Sequence, residues 1–157
     1  MDPPRERNTV KASFTLERTY PATPARVFKA FADEQSKRKW FGGGNDWEQL
    51  ENAFDFRVDG VEINIGRHAS GVVSAFYCTY HDIAPDERIV YAYRMTLDGK
   101  PLSSSLASIE IRPEGAGTHL SLTEYGVYFD GFGEKDVQGR EHGTNWLMDK
   151  LGESLVD

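Results

Sequence analysis

The chain has 157 residues, of which 39% are hydrophobic and 12% aromatic, and these proportions fit one globular domain with a single core. Its 25 acidic side chains outnumber the 18 basic ones, so the net charge is −7. No basic cluster offsets this charge. Binding to nucleic acid or to an anionic membrane is therefore electrostatically opposed, and neither is expected as a partner.

The expected compartment follows from features that the sequence lacks. Cys78 is the single cysteine, which excludes a disulfide within the chain and a metal site built from thiolates alone. No run of about 18 apolar residues occurs, and the first residues lack the apolar centre of a signal peptide. We expect a cytoplasmic protein without membrane insertion, with a disordered tail over 1–8 and one domain over 9–157.

The chain begins with a predicted strand and two short helices. Residues 9–20 alternate between apolar and polar side chains, which favours a strand. Thr23 followed by Pro24 is typical of a helix start, and apolar residues continue at helical spacing. A second short helix is predicted around 36–40, because the consecutive glycines 42–44 prevent its continuation.

The middle of the chain predicts antiparallel strands. Alternating side chains on both sides of Asp59-Gly60 indicate a hairpin with a tight turn at that dipeptide. Longer strand-like runs follow, joined by short turns, over 71–83, 88–97, 102–112 and 118–129. Together these runs predict a curved sheet of about six or seven strands.

The last segment has a helical repeat. Asp136 can cap a helix in which apolar residues recur at intervals of three and four up to Leu155. A strand, two short helices, an antiparallel sheet and a long terminal helix predict an α+β domain. In that fold the terminal helix lies across the concave face of the sheet.

The terminal helix is uneven along the side expected to face the sheet. Leu147 and Leu151 fill its C-terminal half, whereas Gly139 and Gly143 add no side chain to the same stripe. Glycine within a helix is about 0.5–1 kcal/mol less favourable than alanine, so two glycines suggest a space that must stay open. Close helix packing, or fraying of the first turn, is the alternative.

One carboxylate is a candidate for that space. If the last two hairpin turns each contain two residues, one sheet face carries Ala92, Arg94, Ala107 and Glu124. Glu124 would then project from small side chains, with Arg94 as its counter-ion or with a raised pKa. The alternative is a one-residue bulge that turns Glu124 to solvent.

Aromatic residues cluster near the glycine triplet. Trp40, Phe41 and Trp47 flank it, and Trp146 lies three positions beyond Gly143. Glycine-hinged loops with aromatic side chains can cover an apolar cavity, and Trp47, which has polar neighbours, is the best candidate for a lid. The alternative is that Trp40 and Phe41 simply belong to the core.

Familiar patterns for catalysis and cofactor binding are missing from the sequence. The four histidines lack the spacing of a zinc site, and there is no nucleophile elbow, phosphate loop or dinucleotide fingerprint. No cofactor and no metal are expected.

The order of these patterns resembles one known family over roughly residues 10–156. The segments that carry the resemblance are RTYPATPARVFKAF (18–31), KWF (39–41), DFRVDG (55–60), YHDIAPDERIVY (80–91), GTHLSLTE (117–124) and REHGT (140–144). They are similar to the activator of heat-shock protein 90 ATPase homologue (AHSA-like) family. This family lies within the START-like, or SRPBCC, superfamily, which includes the birch pollen allergen.

The resemblance implies a helix-grip fold, in which a curved sheet and a long C-terminal helix enclose an apolar cavity. Members of the family vary in function. The tract Leu122–Gly126 resembles a subgroup pattern in which Gln commonly stands at the place of Tyr125. The family name itself implies stimulation of a chaperone ATPase.

Three functions are therefore open. The first is binding of a small hydrophobic or amphipathic ligand between the sheet and the terminal helix. The second is an enzyme of cyclase, dehydratase or hydrolase type with Glu124 as acid or base. The third is a module that contacts a chaperone, or a second copy of itself as a homodimer, through an outer sheet face with Tyr91, Tyr93, Leu106 and Tyr125.

We favour ligand binding over catalysis. The expected contacts are Glu124, Arg94, Ala92, Ala107, Trp40, Phe41, Trp47, Gly143 and Trp146.

Overall fold

The structure, a computed structural model, describes residues 7–42 and 44–156. Its elements, in chain order, are β1 (Thr9–Tyr20), α1 (Pro24–Ala32), α2 (Glu34–Arg38), a 3-10 turn (Gly44–Asp46), β2 (Trp47–Phe54), β3 (Val61–His68), β4 (Val73–Ala84), β5 (Arg88–Leu97), β6 (Lys100–Glu114), β7 (Gly117–Phe129) and α3 (Glu134–Ser154). All seven strands form one sheet in the order β1-β7-β6-β5-β4-β3-β2. The predicted α+β helix-grip architecture is confirmed.

Most of the predicted N-terminal tail lies outside the described residues, as do Gly43 of the glycine triplet and Asp157. Of the tail, Arg7 and Asn8 are described. The carbonyl of Asn8 accepts a hydrogen bond from the backbone N–H of Asp130 at 2.9 Å. None of the described helices is both long and apolar enough to cross a membrane.

Side-chain caps fix the two short helices after β1. The Thr23 hydroxyl accepts from the backbone N–H of Arg26 at 3.2 Å, and the Asp33 carboxylate accepts from that of Ser36 at 3.0 Å. These caps set the direction of the chain that leaves α2. As a result Trp40 is buried, and its indole N–H donates to a carbonyl of α1 at 2.9 Å.

The predicted turn at Asp59-Gly60 does not join two strands of a tight hairpin. β2 ends earlier and pairs with β3, while residues 55–60 form the loop between them. Within this loop Asp59 has a φ of 68°, and a side chain at Gly60 would overlap the carbonyl oxygen of Asp55. Trp47, the candidate for a lid, is the first residue of β2.

The hairpin between β5 and β6 contains one extra residue. Thr96 pairs with Pro101 but Met95 pairs with Ser103, which leaves Leu102 without a partner of its own. Side chains alternate between the two faces of a strand. The bulge therefore places the β5 residues from Arg88 to Met95 on the face opposite to the one predicted from a two-residue hairpin. The turn between β6 and β7 has two residues, as predicted, and contains no such shift.

The bulge makes part of the predicted site wrong. The concave face of β5 carries Tyr91 and Tyr93, which were expected on the outer face, while Ala92 and Arg94 point to the convex side. Arg94 is exposed, and its guanidinium carbon lies 4.0 Å above the centroid of the Tyr77 ring.

The two halves of α3 pack differently. In its C-terminal half Met148 and Leu151 are 2% and 0% exposed, and the Tyr20 hydroxyl donates to the Met148 carbonyl at 2.7 Å. The Tyr20 ring lies so close to Gly152 that a Cβ there would be 3.0 Å from it. No residue of the N-terminal half of this helix is buried. The helix is therefore packed into the core at its C-terminal end, whereas its N-terminal half reaches the sheet through the long side chain of Arg140.

Candidate functional site

A space of about 990 Å³, called here the α3 cleft, lies between the N-terminal half of α3 and the concave face of the sheet. Its walls are rich in aromatic side chains: Phe31, Trp40, Phe41, Trp47, Phe56, Phe76, Tyr80, Tyr91, Tyr93 and Trp146. Gly139 and Gly143 also border it, and a Cβ at either position would meet no atom within 4 Å. The glycines therefore leave the helix side of the cleft open.

A buried carboxylate borders the α3 cleft. Glu124 on β7 is only 3% exposed, and the Tyr93 hydroxyl donates to its Oε1 at 2.6 Å. Nη1 of Arg140 lies 3.6 Å from Oε2, which is an ion pair too long to be a hydrogen bond. Burial raises the pKa of Glu124, although the Tyr93 hydroxyl and the Arg140 charge act in the opposite direction.

Arg140 takes the place that the sequence assigned to Arg94. It comes from α3, where its Nη1 donates to the Tyr93 hydroxyl at 3.0 Å and its Nη2 to Ser103 Oγ at 2.8 Å. The guanidinium lies over the rings of Tyr93 and Tyr128, 5.4 and 5.2 Å from their centroids. Glu124, Tyr93 and Arg140 are called here the Glu124 cluster.

The sequence held one signal for Arg140 that the prediction did not use. Arg140 lies three positions before Gly143, and residues three apart share one side of a helix. A position beside Gly143 is therefore directed toward the same space as the missing side chain. The prediction considered only residues of the sheet as the counter-ion of Glu124, and the predicted β5 register pointed to Arg94.

A second buried carboxylate has similar partners. Glu62 on β3 accepts on Oε1 both the Tyr80 hydroxyl and the Lys37 ammonium, each at 2.5 Å. Lys37 Nζ also lies 4.5 Å from the centroid of the Phe41 ring. Glu62, Tyr80 and Lys37 are called here the Glu62 cluster. This cluster borders a smaller space of about 300 Å³ between α2 and the β2–β3 pair, lined by amides such as that of Asn52.

A row of tyrosines on the concave face connects the two clusters. Tyr80 and Tyr91 have ring centroids 6.1 Å apart, and Tyr91 and Tyr93 have centroids 6.0 Å apart. Burial raises the pKa of both Tyr80 and Tyr93, so these hydroxyls remain protonated donors at neutral pH. The row is called here the aromatic floor.

The structure places the other predicted site residues as follows. Trp40, Phe41, Trp47, Gly143 and Trp146 border the α3 cleft. Trp40 is also part of the core, at 5% exposure, whereas Trp146 is 42% exposed at the rim. Trp47 packs edge-on against His68, with centroids 5.0 Å apart. The remaining residues are covered or turned away. Ala107, the register partner of Glu124 on β6, is 0% exposed, and Ala92 and Arg94 lie on the convex side.

Nucleophilic and metal chemistry have little support in the described parts of the chain. Cys78 borders the α3 cleft, but burial raises the pKa of its thiol to about 12, which keeps it protonated and unreactive. Across residues 7–42 and 44–156, no three His, Cys, Asp or Glu side chains come together as metal ligands. The buried charged groups on the wall of the α3 cleft are those of the Glu124 cluster and Lys37, and Arg38, Glu48 and His142 also border it.

Comparison with known proteins gives the family. A family model described as "Activator of Hsp90 ATPase homolog 1-like protein" matches residues 21–155. The crystal structure of the Mll3558 protein from Rhizobium loti is 41% identical, with a TM-score of 0.86, and the match covers 94% of this chain and 99% of that one. No curated protein matches the chain.

Two further structures extend the comparison. A putative uncharacterized protein from Rhizobium leguminosarum is 35% identical over 96% of this chain and 97% of its own, with a TM-score of 0.90. An AHSA1-like protein from Aeromonas hydrophila, 16% identical over 92% of each chain with a TM-score of 0.67, shares the fold. The chain belongs to the family of activator of Hsp90 ATPase homolog 1-like proteins.

Proposed function

We propose that this protein binds a small, mainly apolar ligand that carries one polar group, in the α3 cleft. The observation that carries the proposal is an aromatic-lined space with a hydrogen-bonded carboxylate, that of Glu124, on its wall. Small-molecule sites are typically concave spaces of about 300–1,000 Å³ with apolar walls and a few placed polar groups. The α3 cleft, at about 990 Å³, agrees with that description.

The geometry assigns different tasks to the two sides of the cleft. The aromatic floor offers flat apolar surface against which a ligand ring can pack. The Glu124 cluster offers polar atoms at one end of that floor and fixes the orientation of the ligand. Tyr93 belongs to both, so the polar end and the apolar surface meet at one residue.

Titration with N-phenyl-1-naphthylamine, a neutral probe that fluoresces in apolar surroundings, tests this function. We expect saturable binding in the micromolar range, and Gly143→Leu should weaken it at least about tenfold, because the new side chain enters the open space beside the helix. Glu141→Leu is the matched control. It adds the same side chain to an exposed position of α3 that does not border the cleft.

Two outcomes would contradict the proposal. The first is no probe binding tighter than about millimolar. The second is equal affinity in Gly143→Leu and the native protein, which would place the probe elsewhere.

A further inference from the structure

One oxygen of the Glu124 carboxylate accepts no hydrogen bond from the described protein groups. Oε1 accepts the Tyr93 hydroxyl, whereas the nearest cationic nitrogen to Oε2, Nη1 of Arg140, is 3.6 Å away and beyond hydrogen-bond length. Among the described residues, Nη1 of Arg26 is the fully buried side-chain nitrogen or oxygen atom that lacks a hydrogen bond, and Oε2 of Glu124 is not such an atom. Oε2 is therefore not fully buried, and the space that Glu124 borders is the α3 cleft.

Charge at this position is already balanced. The side chains of Glu124 and Arg140 are 4% and 11% exposed, and they carry opposite charges. Both terminal nitrogens of Arg140 donate to the protein, to Tyr93 and to Ser103. The Glu124 carboxylate would repel an anionic ligand group, and the nearby Arg140 guanidinium would repel a cationic one. A neutral O–H group is repelled by neither charge and can donate a hydrogen bond to Oε2 of Glu124.

We propose that the polar group of the ligand is a neutral hydroxyl on an aromatic frame, and that this hydroxyl donates a hydrogen bond to Oε2 of Glu124. The inference rests on the proposed function, because it specifies the ligand of the same cleft. The aromatic frame packs on the aromatic floor, where Tyr91 and Tyr93 lead directly to the carboxylate. The ligand class is therefore phenol-like rather than acidic or amine-bearing.

Four probes with one shared ring system test the inference on the native protein: naphthalene, 2-naphthol, 2-naphthoate and 2-naphthylmethylammonium. Their affinities at neutral pH are measured by displacement of the fluorescent probe. We expect 2-naphthol to bind about tenfold more tightly than naphthalene, since its hydroxyl meets a charged acceptor. The two ions should bind no more tightly than naphthalene.

The outcomes separate this inference from the proposed function. Equal affinities of naphthalene and 2-naphthol, or tightest binding of either ion, would overturn the hydroxyl assignment while ligand binding in the cleft stands. If none of the four displaces the fluorescent probe and the probe itself does not bind, both proposals fail. The comparison uses the native protein, so it does not depend on the folding of a variant.

Substitutions then locate the effect. Glu124→Leu should abolish the preference for 2-naphthol over naphthalene and retain binding of naphthalene. Glu124→Gln should reduce that preference to about threefold or less, because a neutral acceptor forms a weaker hydrogen bond than a carboxylate. Glu141→Gln is the matched control, since it changes an exposed carboxylate of α3 that does not border the cleft and should leave the preference unchanged. A full preference in both Glu124 variants, with folding verified by thermal melts, would overturn the inference.

Discussion

The Glu62 and Glu124 clusters contain the same kinds of groups but differ in how the cation meets the carboxylate. Each carboxylate is 3% exposed and accepts a tyrosine hydroxyl. Lys37 donates directly to Glu62 at 2.5 Å, whereas Arg140 stays 3.6 Å from Glu124 and directs its hydrogen bonds to neighbouring hydroxyls. The first arrangement ties α2 to the sheet. The second leaves a carboxylate oxygen without a hydrogen bond beside the α3 cleft, and the proposed recognition of a ligand depends on that oxygen.

The largest expected effect on stability comes from a change in the Glu62 cluster. Glu62→Gln leaves the Lys37 ammonium, which is 11% exposed, without its carboxylate partner. Removing one partner of a buried ion pair is strongly destabilising, so the free energy of unfolding should fall by about 3 kcal/mol. Urea denaturation at neutral pH measures the change. A loss below about 1 kcal/mol would mean that this ion pair is no stronger than an exposed one, and the contrast with Glu124 would disappear.

A smaller effect, with a distinct pH dependence, is expected at Glu124. Because burial raises the folded-state pKa of this carboxyl, its contribution to stability is present below the ordinary glutamate pKa of about 4.3 and is lost as the pH rises through the raised value. Glu124→Gln does not titrate. Relative to the native protein, the variant should therefore gain free energy of unfolding as the pH increases across this window.

Chemical denaturation of both proteins at about pH 4 and at neutral pH measures that gain. Glu62→Gln, measured in parallel, reports how much of the difference belongs to carboxylate loss in general. A difference between native protein and Glu124→Gln that stays constant with pH would show that the Arg140 charge fully compensates the burial of Glu124.

The smallest expected effects distinguish the open and packed halves of α3. Gly143→Ala places a methyl group in open space and should raise the free energy of unfolding by about 0.5–1 kcal/mol through helix propensity. Gly152→Ala gains the same propensity but brings its methyl group to 3.0 Å from the Tyr20 ring, so it should give little gain or a loss. Thermal melts of the pair test this. Equal gains in stability for the two variants would mean that the Tyr20 ring moves away from residue 152 without cost.

Local patterns predicted the architecture because each element has its own period and its own end signals. The cap at Thr23, the alternation in β6 and β7, and the two-residue turn between them are all short-range features. They correctly placed Glu124 on the buried face. Its burial raises its pKa, because a carboxylate removed from water loses hydration that favours the charged form.

The errors arose where distant residues decide the outcome. No local signal marks Leu102 as unpaired, and that one residue moved Ala92 and Arg94 out of the site and Tyr91 and Tyr93 into it. The spacing of Arg140 from Gly143 indicates the side of α3 on which it lies, but its contact with Glu124 also depends on where α3 crosses the sheet, which no short pattern encodes. Three-dimensional packing therefore supplied the cation and the aromatic floor, while the sequence supplied the carboxylate.

The unpaired Leu102 also shows how a site of this kind can diverge between relatives. A deletion of that single residue would extend the two-residue hairpin register along β5 and rotate its inward row, exchanging two tyrosines for a small aliphatic and a cationic side chain. The length of this hairpin would thus determine which β5 side chains line the cleft. Between homologues, the deletion of one residue near the tip of this hairpin would therefore change the lining of the cleft more than a single substitution inside it.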